Sequence, residues 1–222
     1  MDLATLTRAA GPALLALPLS GRFHSHLTVR IDDPQAVERL RAFCRQRRVK
    51  LTVIDLADTA GRAQRDVMTT AYHVGRGPDA LRAVLGEVAE LSCALEAAGF
   101  PVLRAKLEHE SLPTLPALDA RRYRELHIKL ALPADRFEAE LDRLRAMSDG
   151  WGFVLSRNPH ERRGDVVHQF LNLRRYAGTP AQADAFAAAL VAALTEAAFA
   201  VVETRRETAI VDTNLGHDRW WA

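Results

Sequence analysis

Apolar and polar residues alternate along several short segments of this chain, and stretches with helical spacing separate those segments. Strict alternation is typical of a half-buried strand, and a period of 3.6 is typical of a helix. The first half predicts helices after Pro34 and Pro78, the second of them capped by Gly99. It also predicts four strands, at residues 23–31, 51–56, 66–74 and 100–108.

The second half repeats this order of elements. It predicts helices after Pro133 and from the Thr179-Pro180 pair, and strands at residues 123–132, 152–156, 165–175 and 199–212. The halves also align residue by residue, with His26-Leu-Thr-Val over His127-Ile-Lys-Leu at an offset of about one hundred residues. The pattern therefore predicts an internal duplication.

The fold prediction is α+β, a tandem duplication of a ferredoxin-like βαββαβ unit with pseudo-two-fold symmetry. The two sheets would either be open to water or meet as in single-chain α+β barrels. The predicted domains are an N-terminal helical segment (1–20), the first repeat (21–110), a linker (111–121), the second repeat (122–212) and a C-terminal tail (213–222). In the tail, Trp220 and Trp221 are expected to fold back as a clasp, since exposed tryptophans are unfavourable.

Composition narrows the class of protein. The chain has 222 residues, a formal net charge of +2 and 48% apolar residues, which is typical of a globular protein. No apolar run reaches the roughly 20 residues of a membrane span. The two cysteines, Cys44 and Cys93, fall in helical patterns and are expected to pack in the core, so a reducing, cytoplasmic location is predicted. Balanced charge, with only Phe170 and Tyr123 as aromatics on the free faces, disfavours nucleic-acid binding.

Alternation along each strand also predicts which side chains share a face. The helices would cover the apolar face, and polar side chains would line the other. In the first repeat this polar set is His24, His26, Thr28, Thr69, His73, Arg104, Lys106 and Glu108. In the second it is Glu125, His127, Lys129, His168, Asn172, Glu203, Arg205 and Glu207.

These polar sets predict the candidate site, because imidazoles beside carboxylates and cations can act as acids, bases or ligands. We expect the catalytic groups to be His26, His73, His127 and His168. The expected ligand-binding groups are Thr28, Arg104, Lys106, Glu108, Lys129, Asn172, Arg205 and Glu207.

A divalent metal is one cofactor that these residues could bind. His24 and His26 lie two residues apart on a strand, so both would point the same way, and His73 and Glu108 could complete the set. Nitrogen and oxygen ligands of this kind suit zinc, iron or manganese.

The segment His26-Leu-Thr28-Val also resembles the His-x-Thr strand motif of the 2H phosphoesterases, which are two-lobed with one motif in each lobe. The resemblance implies that each histidine acts as acid or base and that each threonine helps to hold a phosphate. It covers four residues, and the second copy has Lys129 in place of the hydroxyl.

The sequence therefore predicts a small-molecule enzyme or binding protein with a polar cleft between the repeats. Its ligand would be polar and anionic or phosphorylated, and a homodimer is an open alternative to a monomer. A different class of function is also open: a non-catalytic binding or assembly module that uses its sheet faces to contact a protein partner.

Overall fold

The structure is a computed structural model, and it describes residues 1–57, 63–110, 121–158 and 162–217. In the first half the elements are α1 (Leu3–Leu15), β1 (Gly21–Val29), α2 (Pro34–Arg47), β2 (Lys50–Ala57), β3 (Ala63–Gly75), α3 (Ala80–Ala97) and β4 (Val102–His109). In the second half they are β5 (Tyr123–Pro133), a 3-10 turn (Ala134–Arg136), α4 (Phe137–Trp151), β6 (Val154–Arg157), β7 (Arg162–Arg163), β8 (Val166–Arg175), α5 (Pro180–Glu196) and β9 (Ala200–Asp212).

The helix ends follow local sequence signals. Asp33 caps α2 by accepting a hydrogen bond from the Ala36 backbone N–H at 2.8 Å. Thr179 forms a capping box with Gln182 at the start of α5, where the sequence predicted a cap followed by proline. After α3, Gly99 has a positive φ of 84°, a conformation that favours glycine just beyond a helix end.

The strand pairing corrects the predicted fold class. The strands form one antiparallel sheet in the order β5-β9-β4-β1-β3-β2-β6-β8-β7, and β5 also pairs with β8. The eight strands from β5 to β8 in this order therefore form a closed ring, as in an antiparallel β-barrel, and β7 pairs with β8 beside it. The predicted duplicated ferredoxin-like fold is wrong. A separate ferredoxin-like sheet would leave two edge strands with unpaired backbone groups, whereas here β4 pairs with β9 and β2 pairs with β6.

The described residues group into two compact units. Unit 1 contains residues 1–52, 67–110 and 208–217, and unit 2 contains residues 53–57, 63–66, 121–158 and 162–207. The strands β2, β3 and β9 each begin in one unit and end in the other.

In unit 1, β1 lies between β3 and β4 and is antiparallel to both. Its apolar face, with Phe23 and Leu27 fully buried, packs toward α3, and α1 packs against α3 in turn. In unit 2, β8 pairs with both β5 and β6. The core of unit 2 is built from the apolar faces of these strands and of α4 and α5, among them Ile128, Leu130, Leu144, Leu171 and Leu190.

Gly75, at the end of β3, is a position where a close approach requires glycine. A Cβ there would lie 2.7 Å from the Phe23 ring and 2.8 Å from the Ala80 Cβ, both of which are buried. We expect Gly75→Ala to lower the free energy of unfolding by about 1–3 kcal/mol through overpacking. Urea unfolding measures this, and Gly86→Ala is the matched control.

A Cβ at Gly86, inside α3, would meet no atom of the described residues within 4 Å. Alanine is the better helix former, so Gly86→Ala should raise the free energy of unfolding by roughly 0.5–1 kcal/mol. Equal effects of the two substitutions would contradict the close approach at Gly75.

Some predictions fall outside the described residues. Residues 111–120 of the predicted linker and Trp220 and Trp221 of the predicted clasp belong to the undescribed part of the chain. The predicted domain boundaries stay predictions. Among the described residues, no helix combines the length and the apolar character needed to cross a membrane.

Candidate functional site

The polar face of β1 in unit 1 carries three of the predicted site residues in register with β4. His24 lies opposite Glu108, His26 opposite Lys106 and Thr28 opposite Arg104. Cross-strand partners share a face, so the structure brings these six side chains together as alternation predicted. Most of them are buried: His24, Thr28, Arg104 and Glu108 are each no more than 5% exposed.

His26 is held at both ring nitrogens. Its Nε2 lies 2.8 Å from Glu108 Oε2, and because a carboxylate only accepts, this nitrogen carries the proton and donates. Glu108 is itself held by Lys106, whose Nζ lies 2.7 Å from Oε1. The His26 Nδ1 lies 3.0 Å from the Thr70 hydroxyl, which lies 2.9 Å from the hydroxyl of Thr52. We call Thr52, Thr70, His26, Glu108 and Lys106 the relay.

The relay accommodates His26 with or without its second proton. Neutral His26 accepts at Nδ1 from the Thr70 hydroxyl, which then accepts from Thr52. Protonated His26 donates to Thr70, whose hydroxyl can rotate to donate onward to Thr52. The side chain of His26 is 19% exposed, whereas Glu108 is 1% exposed. Defined hydrogen bonds therefore lead from the Thr52 and Thr70 hydroxyls to a histidine that is partly exposed to solvent.

His73 lies on the opposite face, contrary to prediction. The residues of β3 that pair with His26 and His24 are Thr70 and Tyr72. Thr69 and His73 therefore point to the other face of the sheet. The His73 Nε2 lies 2.8 Å from Ser25 Oγ, and Nδ1 donates to the Glu87 carboxylate of α3 at 2.6 Å. These hydrogen bonds connect β1 and β3 to the helix. Ser25 is fully buried, so its hydroxyl is not an accessible nucleophile.

The predicted metal set is therefore divided between two faces. His24, His26 and Glu108 share one face of the sheet, but His73 of β3 is on the other, so the three imidazole rings do not converge on one ion. The His24 Nε2 lies instead 2.7 Å from Glu110 Oε1. The pair His26 and Thr28 of the phosphoesterase-like motif does share a face.

Buried carboxylates neutralise the predicted cations of unit 1. Arg104 donates from Nε and from a terminal nitrogen to the two oxygens of Asp212, at 2.9 and 2.5 Å, and both side chains are buried. Lys106 is paired with Glu108. An anionic ligand would have to compete with these carboxylates.

In unit 2 the corresponding polar face is organised around His127. Its Nδ1 donates to the Asn172 side-chain oxygen at 2.8 Å, and Nε2 lies 3.5 Å from both Glu125 and Glu207. Burial alone would lower the pKa of His127, but hydrogen bonds to these carboxylates and their charge outweigh it and raise the pKa to about 10. His127 is therefore protonated and positively charged near neutral pH, and it does not exchange its proton there.

Three other predicted residues of unit 2 have other neighbours, although Lys129 shares the His127 face of β5 and Arg205 lies 3.8 Å from Glu207. His168 is opposite Ala131, four residues along β8 from Asn172, so it is no cross-strand neighbour of His127. Arg205 is half-exposed and pairs with Glu203 at 2.9 Å. Lys129 lies over the Phe170 ring at 5.4 Å.

Sequence reasoning missed several polar residues on these faces. In unit 1 these are Thr52, Thr70 and Glu110, and in unit 2 it missed Arg174, whose Nε donates to Glu125 at 2.6 Å. Of the two cysteines, Cys44 is buried, which raises the pKa of its thiol to about 11, whereas Cys93 is exposed, contrary to prediction.

Comparisons with known proteins give little further information. No family model matches the chain, and no curated protein matches it significantly. Among solved structures, one similar chain is from Fusobacterium nucleatum subsp. nucleatum and is provisionally named a monooxygenase. It is 7% identical, with 88% of this chain and 94% of that chain covered and a TM-score of 0.29, so the likeness supports no argument about activity.

Proposed function

We propose that this protein binds a small polar molecule on the polar face of unit 1 and that His26 exchanges a proton with it through the Thr70 hydroxyl. The observation that supports this is the fixation of a solvent-reachable histidine at both ring nitrogens, by Glu108 and by Thr70. A positioned imidazole with a carboxylate partner is the usual arrangement for general acid–base catalysis.

Each member of the relay has a separate task in this proposal. Glu108 fixes the tautomer of His26 by accepting from Nε2, and Lys106 orients the Glu108 carboxylate. Thr70 and Thr52 supply or remove the second proton through their hydroxyls. The bound molecule would be polar with an exchangeable proton and little net charge, because carboxylates already pair with Arg104 and Lys106.

The first test is a stabilisation screen of the wild-type chain against neutral and charged small polar molecules, because a ligand that binds the folded state raises the unfolding midpoint. We expect hits, and we expect His26→Gln to abolish the midpoint shift. Hydrogen exchange between a hit and solvent, followed by NMR, then measures proton transfer. Thr70→Val, which keeps His26 but removes the hydroxyl, should slow the exchange by about 10²–10⁴-fold at a saturating concentration of the hit.

Thr69→Val is the matched control, since Thr69 lies on the opposite face and its hydroxyl is buried with no hydrogen-bond partner among the described residues. Removing that hydroxyl should leave exchange unchanged and should not destabilise the fold. The proposal fails if no molecule shifts the wild-type midpoint, or if Thr69→Val and Thr70→Val slow the exchange equally.

A further inference from the structure

Two exposed apolar side chains lie on the same face of β3 as the relay. Val74, Tyr72 and Thr70 occupy successive same-face positions, and their cross-strand partners on β1 are Arg22, His24 and His26. Same-face positions on a strand are about 7 Å apart. Exposure falls along this row, from 65% at Val74 and 56% at Tyr72 to 5% at Thr70. An exposed apolar strip therefore leads to the buried end of the relay.

The Tyr72 ring is held in place. It packs edge-on against the His24 ring, with the ring centroids 4.5 Å apart and an interplanar angle of 80°. His24 in turn is fixed by its hydrogen bond to Glu110, and Glu110 lies 3.3 Å from Arg22. A large aromatic ring that is exposed yet oriented by buried neighbours is suited to stacking against a planar partner.

We infer that the molecule bound at this site has a planar apolar portion, which packs on Tyr72 and Val74 while its polar group reaches Thr70 and His26. This inference rests on the proposed function of the relay and adds the class of ligand. The row from Val74 to Thr70 spans roughly 13 Å, which fits a molecule of one or two rings with a polar end.

A second copy of the chain is the competing occupant of this strip. Two side chains of this size offer on the order of 300 Å² of apolar surface, whereas a stable protein interface buries about 800 Å² on each partner. The strip is also continuous with the relay along one face of β3. Both observations favour a small molecule.

The test uses the 222-residue chain and three neutral ligands that share a carboxamide group. They are benzamide, cyclohexanecarboxamide and acetamide. Their dissociation constants are measured by NMR titration. We expect benzamide to bind more tightly than cyclohexanecarboxamide, and acetamide to bind most weakly. Tyr72→Ser should weaken benzamide about tenfold and leave acetamide unchanged, whereas Tyr72→Phe should retain benzamide binding.

Val74→Ser and Val202→Ser form a matched pair, because Val202 is also exposed but lies on β9. Only the substitution at Val74 should weaken benzamide. If His26→Gln weakens all three amides while Tyr72→Ser weakens none, the inference is overturned and the relay proposal stands. If Tyr72→Ser weakens benzamide but His26→Gln changes nothing, the relay proposal fails instead.

Two further outcomes would also overturn the inference. One is the absence of benzamide binding to the wild-type chain at millimolar concentration. The other is a wild-type dimer that Tyr72→Ser converts to a monomer without affecting benzamide, as measured by light scattering, which would identify the strip as a protein interface.

Discussion

Replacing Asp212 by alanine should lower the free energy of unfolding by about 3–5 kcal/mol, the usual cost of leaving one partner of a buried ion pair alone. Asp212 is fully buried and binds Arg104 through both carboxylate oxygens, and it also accepts a hydrogen bond from the Asn214 backbone. Alanine would leave the Arg104 guanidinium, only 6% exposed, without this carboxylate. Urea unfolding at neutral pH measures the loss.

Asp55 and Arg65 provide a matched surface control. They form a two-point pair of similar geometry, at 2.6 and 3.0 Å, but the Arg65 side chain is 62% exposed. Asp55→Ala should therefore cost no more than about 1 kcal/mol. A double variant, Arg104→Met with Asp212→Leu, should regain most of the stability lost in Asp212→Ala, because it removes both buried charges. Equal losses at Asp55 and Asp212 would contradict this account.

The sequence predicted the faces of β1 and β4 because apolar and polar residues alternate along most of both strands. In β1, Phe23 and Leu27 alternate with His24, His26 and Thr28, so one face is apolar and the other polar whatever the partners are. The same holds for β5, where Glu125 and His127 share a face with Arg174 and Asn172 of β8. Local pattern was sufficient to place these side chains.

The face of β3 could not be predicted in the same way. Its segment Thr69-Thr70-Ala71-Tyr72-His73 contains polar residues at both parities, so alternation does not choose between them. A shift of one residue moves every side chain to the other face. The choice is made by the pairing of Thr70 with His26, which is information from a different strand. The prediction therefore placed His73 in the site and missed Thr70.

Closure of the sheet and pairing of the charges are also long-range effects. Arg104 and Asp212 are 108 residues apart, and no local pattern links them. The sequence predicted a local excess of histidines and cations, and it placed Glu108 on the same face, but alternation along a strand does not predict which of these charges form ion pairs. Asp212 and Glu108 pair with Arg104 and Lys106, so these predicted cations form buried ion pairs.

The contribution of His127 to stability should fall as pH rises from about 6.5 to about 10, because the unfolded chain loses this proton at a lower pH than the folded chain does. Its pKa is raised from 6.5 to about 10, so the folded chain binds this proton more tightly than the unfolded chain does. The contribution is fully present below pH 6.5 and is lost as pH approaches 10. Each unit of pKa corresponds to about 1.4 kcal/mol, so a loss of a few kcal/mol is expected.

The measurement is the free energy of unfolding of the wild type minus that of His127→Gln, taken at several pH values, so that other titrating groups cancel. The difference should be large at pH 6 and small above pH 10. Glu207→Gln removes one of the two carboxylates beside Nε2, so it should shift the decline to lower pH without abolishing it. A difference that stays constant with pH would contradict the assignment of His127 as an imidazolium, since only a proton bound more tightly in the folded state can produce this slope.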